Sequence, residues 1–496
     1  MCTGFGRTLI YKFTWTSRTS DQLDEPRVIN VELDLANTLI NTLSEQEHYI
    51  GLFWEYYLPN GHQFSDEACG YTTCGWTRIA QDLCSNSTGW NDSASCIRVV
   101  RLAIIANSLC MIGNQYQETH TVEYGYQAYG TALKQMRNIL MQKMLTQGAI
   151  PLTDQEKLIL LIGARLLTVF TILFQRGRLI ETSTDQSEAW VNLNAGEMTL
   201  LLSREPEAYQ NGNAHQIFVD TRLHLIIPYL IPMRRPRLLT HESWMEVPWE
   251  VVPKTPMDRL VDLIGLLPAL VEDLHAAQSG PVICLVDKVV LTPVMKLRFD
   301  ALVAKLQSWR NEIVPGLGME ELFLSQRTRA SNKRKRDPEA EGSSSTRPQL
   351  QTSTSTSTST PDLDLAKAHA LVLFWATCLL YARKYADFTF EDIDVLPPLL
   401  NVRANRYNML RVLANVHFSP RGRNKGGWFG INVALFPLRV AMATVPCSID
   451  DKDYKNKFPL SPAESKLMES IYTECKARGV ASFIDSISQY LSTEAN

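Results

Sequence analysis

Residues 98–117, RVVRLAIIANSLCMIGNQYQ, open the stretch of the chain that decides its fold. Apolar side chains recur in it at steps of three and four residues, which is the spacing of one stripe along an α-helix. Further apolar residues fill the other sides, so we expect this helix to be central and buried. The stripe consists of Leu102, Ile105, Leu109, Ile112 and Tyr116.

The next two segments repeat the helical spacing. Residues 123–144, EYGYQAYGTALKQMRNILMQKM, combine an apolar stripe with a polar face. Residues 153–175, TDQEKLILLIGARLLTVFTILFQ, begin with Thr153 and Glu156 at the spacing of a capping box, in which a hydroxyl and a carboxylate bind free amide groups at a helix start. Helices with such short connections pack antiparallel. The sequence therefore predicts an all-α fold, a large bundle of packed antiparallel helices, with no chemistry on these core helices.

The composition divides the chain into four parts. Residues 1–40 are polar and lack a helical stripe, which predicts a weakly ordered lead-in. Residues 41–326 and 362–496 carry helical stripes, and we predict that they are two parts of one helical domain. Between them, residues 327–361 have too little apolar surface to offset the entropy of ordering, which predicts a disordered internal linker. Within the first part, residues 60–96 are rich in Gly, Ser, Thr, Asn and Cys and are expected to form a long loop.

The overall charge argues against nonspecific attraction to nucleic acid. The 496 residues are 45% hydrophobic and 20% charged, with a net charge of −3, so DNA contact would need a local basic patch. We expect no membrane partner, because the best apolar run, residues 158–174, is shorter than the roughly 20 residues of a span and contains Arg165. Since no secretory signal opens the chain, we expect a reducing compartment for the ten cysteines.

A search for catalytic and cofactor motifs finds none. The sequence contains no Gly-x-Ser-x-Gly elbow, no Gly-x-Gly-x-x-Gly loop and no Walker loop. Its nine histidines never occur four residues apart, the spacing that places two imidazoles on one helix face for a metal. His369, at the start of an apolar helix, is expected to be structural. We therefore predict no catalytic residue, no cofactor and no enzyme activity.

A group of cysteines raises the question of zinc. Cys69, Cys74, Cys84 and Cys96, with His62 nearby, could in principle supply thiolates for tetrahedral zinc. Their gaps of four, nine and eleven residues contain no Cys-x-x-Cys hook, the compact chelate that makes such motifs specific. We predict unpaired thiols in an irregular loop and no metal site.

A dense basic run lies in the predicted linker. Lys333, Arg334, Lys335 and Arg336 are four consecutive cations in a segment expected to be extended and exposed. An acidic groove of a nuclear import receptor binds such runs, so they indicate a nuclear localisation signal. The alternative is a solvated charge run that keeps the linker soluble. The density and placement favour the signal, whereas the basic turn at residues 234–237 and the glycine-rich basic loop at residues 421–427 are expected to be solvated.

Several short motifs occur in a fixed order between residues 126 and 249 and again further on. They resemble the fungal-specific transcription factor domain, the helical regulatory region of fungal zinc binuclear cluster activators. The matching positions are the helix Ala128-Tyr129-Gly130-Thr131-Ala132-Leu133; then Trp190, Gly196, Leu200, Leu201, Arg204 and Pro206; then Phe218, Arg222, Arg234, Arg235, Trp244, Pro248 and Trp249; and finally Trp375 and Phe436-Pro437-Leu438. Leu193 stands where the family pattern has a histidine, and Glu205 where it has a glycine.

The resemblance implies a nuclear regulator of transcription, pathway-specific as in family members that govern secondary-metabolite biosynthetic gene clusters. The expected partners are other transcription regulators or co-activators and the import receptor, with homo- or heterodimers compatible with the family. One departure matters: family regulators carry six closely spaced N-terminal cysteines that hold zinc and read DNA, whereas only Cys2 precedes Cys69 here. We therefore expect no intrinsic zinc-cluster module and only indirect DNA contact.

Two alternatives stay open. The chain could be a cytosolic accessory protein or enzyme of a biosynthetic pathway that reuses the helical fold, and a cleft with converging ionisable side chains would favour this reading. It could also be a truncated zinc-cluster activator, which genomic sequence encoding six cysteines ahead of Met1 would reveal.

Overall fold

The computed structural model describes residues 43–85, 93–145, 151–174, 184–230, 233–278, 293–313, 361–389, 397–418, 427–443 and 460–480. Across these residues 85% are helical, in 15 α-helices without a strand, which confirms the predicted all-α class. The helices are α1 (Leu43–Tyr57), α2 (Asp66–Cys69), α3 (Trp76–Ser85), α4 (Ala94–Tyr116), α5 (Thr119–Leu140), α6 (Asp154–Leu173), α7 (Thr184–Leu201), α8 (Gly212–Leu230), α9 (Glu242–Glu246), α10 (Pro256–Gln278), α11 (Pro293–Ile313), α12 (Pro361–Thr389), α13 (Val402–Val412), α14 (Gly427–Ala443) and α15 (Pro462–Arg478). The lead-in 1–40 and most of the predicted linker lie outside the described residues.

Helix α4 lies at the centre of the first part and packs against α1, α5 and α6. Its pairing with α5 is antiparallel, because Gln135 of α5 donates to the Ser95 carbonyl near the start of α4, whereas Gly125 of α5 contacts Cys110 towards its end. Helices α5 and α6 are also antiparallel, with Tyr129 bonded to Thr171 and Lys143 paired with Glu156. The consecutive helices α4, α5 and α6 thus alternate in direction, so that α4 and α6 run the same way.

The start of α6 confirms the predicted capping box. The Thr153 side chain accepts a hydrogen bond from the Glu156 amide at 3.1 Å, and the Glu156 carboxylate accepts one from the Thr153 amide at 2.9 Å. Glu156 also pairs with Lys143 at 2.5 Å, so one carboxylate both caps the helix and forms an ion pair. Burial would raise the pKa of Glu156, but the hydrogen bonds from Lys143 and Thr153 outweigh that effect and lower it.

Residues 60–96 do not form the expected long loop, since α2 and α3 lie within them. Helix α3 buries Trp76, Ile79, Ala80 and Leu83, the one-sided spacing of an amphipathic helix. Its first amide, that of Trp76, donates to the Asp220 carboxylate of α8 at 2.7 Å. A carboxylate from a distant part of the chain therefore supplies the cap that the local sequence lacks.

Helices from both sides of residues 314–360 contribute to one hydrophobic core. The Tyr381 hydroxyl of α12 donates to the Leu263 carbonyl of α10 at 2.8 Å, and the ring of Phe374 in α12 stacks on Trp309 of α11 at 5.2 Å. Within the second part of the sequence, the buried Arg406 of α13 binds Glu464 of α15 at 2.8 Å. These contacts join segments that are distant in sequence.

Two helices are long and apolar enough to cross a membrane by length and composition alone, residues 94–116 and 362–385. Within the fold, 83% and 89% of their apolar windows are buried. The core helix of a soluble protein passes the same test, so this finding is weak evidence for a membrane span.

Candidate functional site

Four buried polar side chains lie on three helices of the first part of the core that pack against one another, and we call them the polar cluster: Arg165, Asn194, Glu197 and His224. Arg165 comes from the middle of α6, Asn194 and Glu197 lie one turn apart on α7, and His224 lies on α8. Their exposed fractions are 8%, 4%, 0% and 6%. Because charged residues are almost never this buried unless they are paired, the cluster needs a physical explanation.

Two geometric observations fix the neighbourhood of the cluster. Glu197 Oε2 lies 3.3 Å from His224 Nε2, within ion-pair range but outside hydrogen-bond geometry. The ring of Trp190, one turn before Asn194 on α7, meets the His224 ring edge-on at 6.4 Å. The positive charge of Arg165 contributes to lowering the pKa of His224, of Asp220 and of the Tyr57 hydroxyl, although burial has the largest effect on each.

Much of the cluster's hydrogen-bonding capacity is unused. Besides the Glu197 Oε2 and His224 Nε2 atoms, which face each other at 3.3 Å, five buried atoms have no hydrogen-bond partner among the described residues: Arg165 Nε and Nη1, both side-chain polar atoms of Asn194, and Glu197 Oε1. Each unsatisfied buried polar group costs about 1–3 kcal/mol, and folded proteins keep few of them. These donors and acceptors are suited to binding water or another polar molecule.

The electrostatics of the cluster are set by burial. Burial, together with the charge of Arg165, lowers the pKa of His224 to about 4, although Glu197 opposes both effects. Next to the cluster, burial raises the pKa of Asp220 to about 7 despite its bonds from Gln216 and the Trp76 amide. His224 is thus a neutral ring at pH 7.

A second group of residues, all from the motifs between 190 and 249, packs beside the cluster. The Phe218 ring lies 5.7 Å from Trp244 and 5.4 Å from Trp249, and the Arg222 guanidinium lies 4.4 Å from the Trp249 ring centre. Arg222 also forms an ion pair with Asp262 of α10. The Phe-x-x-x-Arg and Trp-x-x-x-Pro-Trp motifs therefore fold onto each other.

The basic turn at residues 234–237 is not simply solvated, contrary to the prediction. Arg235 forms an ion pair with Asp273 and donates to the Ala269 carbonyl at 3.2 Å, and Arg237 pairs with Glu272 at 3.0 Å. The bond from Arg237 is the main cause that lowers the pKa of Glu272, and it outweighs the opposing effect of burial. These arginines attach the turn to α10.

The cysteines considered for zinc lie in three separate surroundings. Cys69 and Cys74 interact with each other, Cys84 lies beside Arg101, and Cys96 lies near Glu156 and Lys143. Burial raises the pKa of Cys84 to about 12 and that of Cys96 to about 11, which disfavours the thiolate form that binds metal. The described ranges bring together no group of three or more His, Cys, Asp or Glu residues suited to a metal ion.

His369 lies in the core, stacked on His417 with ring centroids 4.7 Å apart. His417 ends a π-helical turn, Leu413–His417, and Phe64 and Phe429 complete the aromatic surroundings. This placement accords with the structural role expected for His369.

The proposed localisation signal, Lys333, Arg334, Lys335 and Arg336, lies outside the described residues, as does most of the basic loop before α14. The polar cluster was not predicted from the sequence, which assigned no functional residue to the core helices. One signal was present in the sequence: Arg165 interrupts the most apolar run of the chain, and a buried charge requires a partner.

Comparison with known proteins yields no relative: no protein-family model, no curated protein and no solved structure matches this chain.

Proposed function

We propose that this chain is a nuclear regulator of transcription, pathway-specific and related to the fungal-specific transcription factor domain. In this proposal it acts through protein contacts of its helical body, with other regulators or co-activators as partners. A secondary-metabolite biosynthetic gene cluster is the kind of target that the resemblance suggests. The polar cluster would let a small molecule control the helical body.

One observation carries the proposal. The residues that make up the resemblance are spread over separate segments, yet Phe218, Arg222, Trp244 and Trp249 pack into one group, and Trp190 lies against the adjacent His224. Their convergence supports the view that they form one structural unit of the family.

Import into the nucleus is the testable part. We expect a fluorescent fusion of the full chain to accumulate in nuclei, because residues 333–336 offer four consecutive cations to an import receptor. Changing all four to Ala should leave the fusion distributed through the cytoplasm. Imaging of cells that express each fusion at equal levels measures the nuclear-to-cytoplasmic ratio.

The matched control changes another basic stretch of similar charge, Arg421, Arg423 and Lys425, to Ala. This variant should still accumulate in nuclei. An evenly distributed wild-type fusion would contradict the proposed nuclear localisation signal. So would nuclear accumulation that persists after residues 333–336 are changed to Ala. Fusion of the chain to a foreign DNA-binding domain should in addition change the expression of a reporter gene.

The enzyme alternative gains one observation, since ionisable side chains do converge in the polar cluster. These side chains are at most 8% exposed, however. An enzyme with this buried site would have to admit substrate and release product at every turnover. An effector, by contrast, enters the site once and stays bound. The burial therefore favours ligand binding over catalysis.

A further inference from the structure

Cys69 and Cys74 lie at the two ends of the turn that joins α2 to α3. Cys69 is the last residue of α2, and Cys74 precedes the start of α3 at Trp76. Both are free thiols, and their side chains interact with each other. Among the cysteines of the described residues, Cys69 alone is partly exposed, whereas the others are buried. The turn therefore presents one accessible thiol with a buried thiol beside it.

The Thr72 side chain connects the two cysteines. Its hydroxyl donates to the Cys69 carbonyl oxygen at 3.5 Å and lies 3.1 Å from Cys74 Sγ. The Thr72 amide also donates to the Cys69 carbonyl, at 3.1 Å, so the chain turns back directly after α2. This turn brings the two cysteines together, and a disulfide between them would close the short loop of residues 69–74.

A cation lies next to the accessible thiol. The Cys69 thiol donates to the Phe64 carbonyl oxygen at 3.8 Å, and the Arg78 guanidinium donates to the same oxygen at 3.0 Å. Arg78 comes from α3 and also forms an ion pair with Asp66 of α2 at 2.7 Å. Because a nearby positive charge favours the thiolate, which is the reactive form of cysteine, this position suits an attacking thiol.

From this arrangement we propose that Cys69 and Cys74 are a modification site, a thiol pair that hydrogen peroxide oxidises to a disulfide. The Cys69 thiolate attacks one peroxide oxygen, the O–O bond breaks, hydroxide leaves and Cys69 becomes a sulfenic acid. Cys74 Sγ then attacks Cys69 Sγ, the S–O bond breaks, and water leaves as the S–S bond forms. The two thiols lose two electrons and two protons, and hydrogen peroxide takes them up to give two molecules of water.

The acidities of the two thiols agree with these roles. The interaction with Cys74 lowers the pKa of Cys69, and together with the charge of Arg78 it outweighs burial and the opposing charges of Asp220 and Asp66. Burial is the main cause that raises the pKa of Cys74 well above its usual value. Cys69 is therefore the thiol that ionises first, and Cys74 is the thiol that closes the disulfide.

The turn contacts helices from both parts of the sequence. The Gly70 carbonyl accepts from the Met257 amide of α10 at 3.0 Å, and the Lys367 ammonium group of α12 lies 5.5 Å from the Tyr71 ring centre. A disulfide across residues 69–74 constrains the turn that makes these contacts. Oxidation would therefore act on the junction between the turn, α10 and α12.

The test uses the purified, reduced full-length protein treated with hydrogen peroxide. Remaining thiols are alkylated in denaturant, and mass spectrometry of the peptides identifies the oxidised cysteines. We expect a disulfide between Cys69 and Cys74 that forms at least about 10-fold faster than any oxidation of Cys84 or Cys96, whose thiols are buried. Earlier oxidation of Cys84 or Cys96 would overturn the proposal. So would oxidation of Cys69 without a bond to Cys74.

Variants assign the two roles. Cys74→Ser should stop the reaction at the sulfenic acid of Cys69, which dimedone traps as a single adduct, and Cys69→Ser should leave Cys74 unoxidised. Cys84→Ser is the matched control and should form the disulfide like the wild type. Arg78→Met should slow oxidation of Cys69 about 3-fold or more, because the charge that favours its thiolate is lost.

The outcomes for the variants are equally decisive. A dimedone adduct on Cys74 instead of Cys69 would reverse the assigned roles and overturn them, and an unchanged rate in Arg78→Met would overturn the role of the cation. The inference goes beyond the proposed regulatory function, since it assigns a reaction with peroxide to the helical body. Reactivity of the pure protein is independent of nuclear import, so either result can fail without the other.

Discussion

The rings of His369 and His417 stack in the core without a hydrogen-bond partner on any of their four nitrogens among the described residues. Burial lowers the pKa of His417 to about 3, and burial together with the charge of His417 lowers the pKa of His369 well below its usual range. Both rings are therefore neutral in the folded protein at pH 7. In an unfolded chain a histidine has a pKa of about 6.5.

A pH dependence of stability follows from this difference. Below about pH 6.5 the unfolded chain binds protons that the folded chain excludes, so stability falls as the pH falls, by up to about 1.4 kcal/mol per pH unit for each histidine. Relative to the wild type, the double variant His369→Leu, His417→Leu should become progressively more stable as the pH is lowered from about 6.5 to about 4.5. Urea unfolding at several pH values measures the difference.

The control for this prediction is His62→Gln, because His62 is exposed although it lies close in sequence to Phe64, a neighbour of the pair. Its stability should follow that of the wild type across the same range. Identical pH profiles for the wild type and the double variant would show that the two rings take up protons in the folded state.

Two glycines of α5, Gly125 and Gly130, show how closely α4 and α5 approach. A Cβ atom at Gly125 would lie 2.5 Å from Cys110 Sγ and 3.0 Å from the Ala106 carbonyl oxygen, both in α4. A Cβ atom at Gly130, on the same helix, would meet nothing within 4 Å. Gly125 therefore permits the close packing of these helices, and Gly130 does not.

Alanine at the two positions should have opposite effects. Gly125→Ala should lower the free energy of unfolding by about 1–3 kcal/mol, because the new methyl group forces the helices apart. Gly130→Ala should raise it by about 0.5–1 kcal/mol, because alanine loses less backbone freedom in a helix. Urea denaturation of both variants measures the two values. Equal effects would mean that α4 and α5 do not pack at this distance.

The sequence predicted those elements whose signals are local. Helices α4, α5 and α6 follow from apolar stripes, and the cap of α6 follows from Thr153 and Glu156. Helix α3 does carry a local amphipathic spacing, but the surrounding Gly, Ser, Thr and Cys residues favoured a loop, and its cap, Asp220, lies 144 residues away from Trp76 in the chain. The polar cluster was missed for the same reason, since Arg165, Glu197 and His224 come from three helices and each looks like a single polar residue in an apolar stripe.

Aromatic contacts between α11 and α12 hold together the two parts of the sequence on either side of residues 327–361. Helix α11 precedes that segment and α12 follows it, and Phe299 of α11 packs edge-on against Tyr381 and Tyr385 of α12 at 6.2 Å and 5.6 Å. The stacked pair of Trp309 and Phe374 lies on the same interface. Buried aromatic contacts of this kind carry much of the energy of protein association.

If these contacts hold the parts together, the covalent link between them is dispensable once the protein has folded. A recognition site for a specific protease, inserted between Thr352 and Ser353, allows the folded chain to be cut within the predicted linker. The two fragments should remain associated and elute together in size-exclusion chromatography at micromolar concentration.

Trp309→Ala should weaken this association, because it removes a buried ring from the interface. Leu297→Ala is the matched control on the same helix, since that side chain is 69% exposed, and it should leave the fragments associated. Separation of the wild-type fragments after cleavage would mean that residues 41–326 and 362–496 are independent units and that the regulator is built from two bodies.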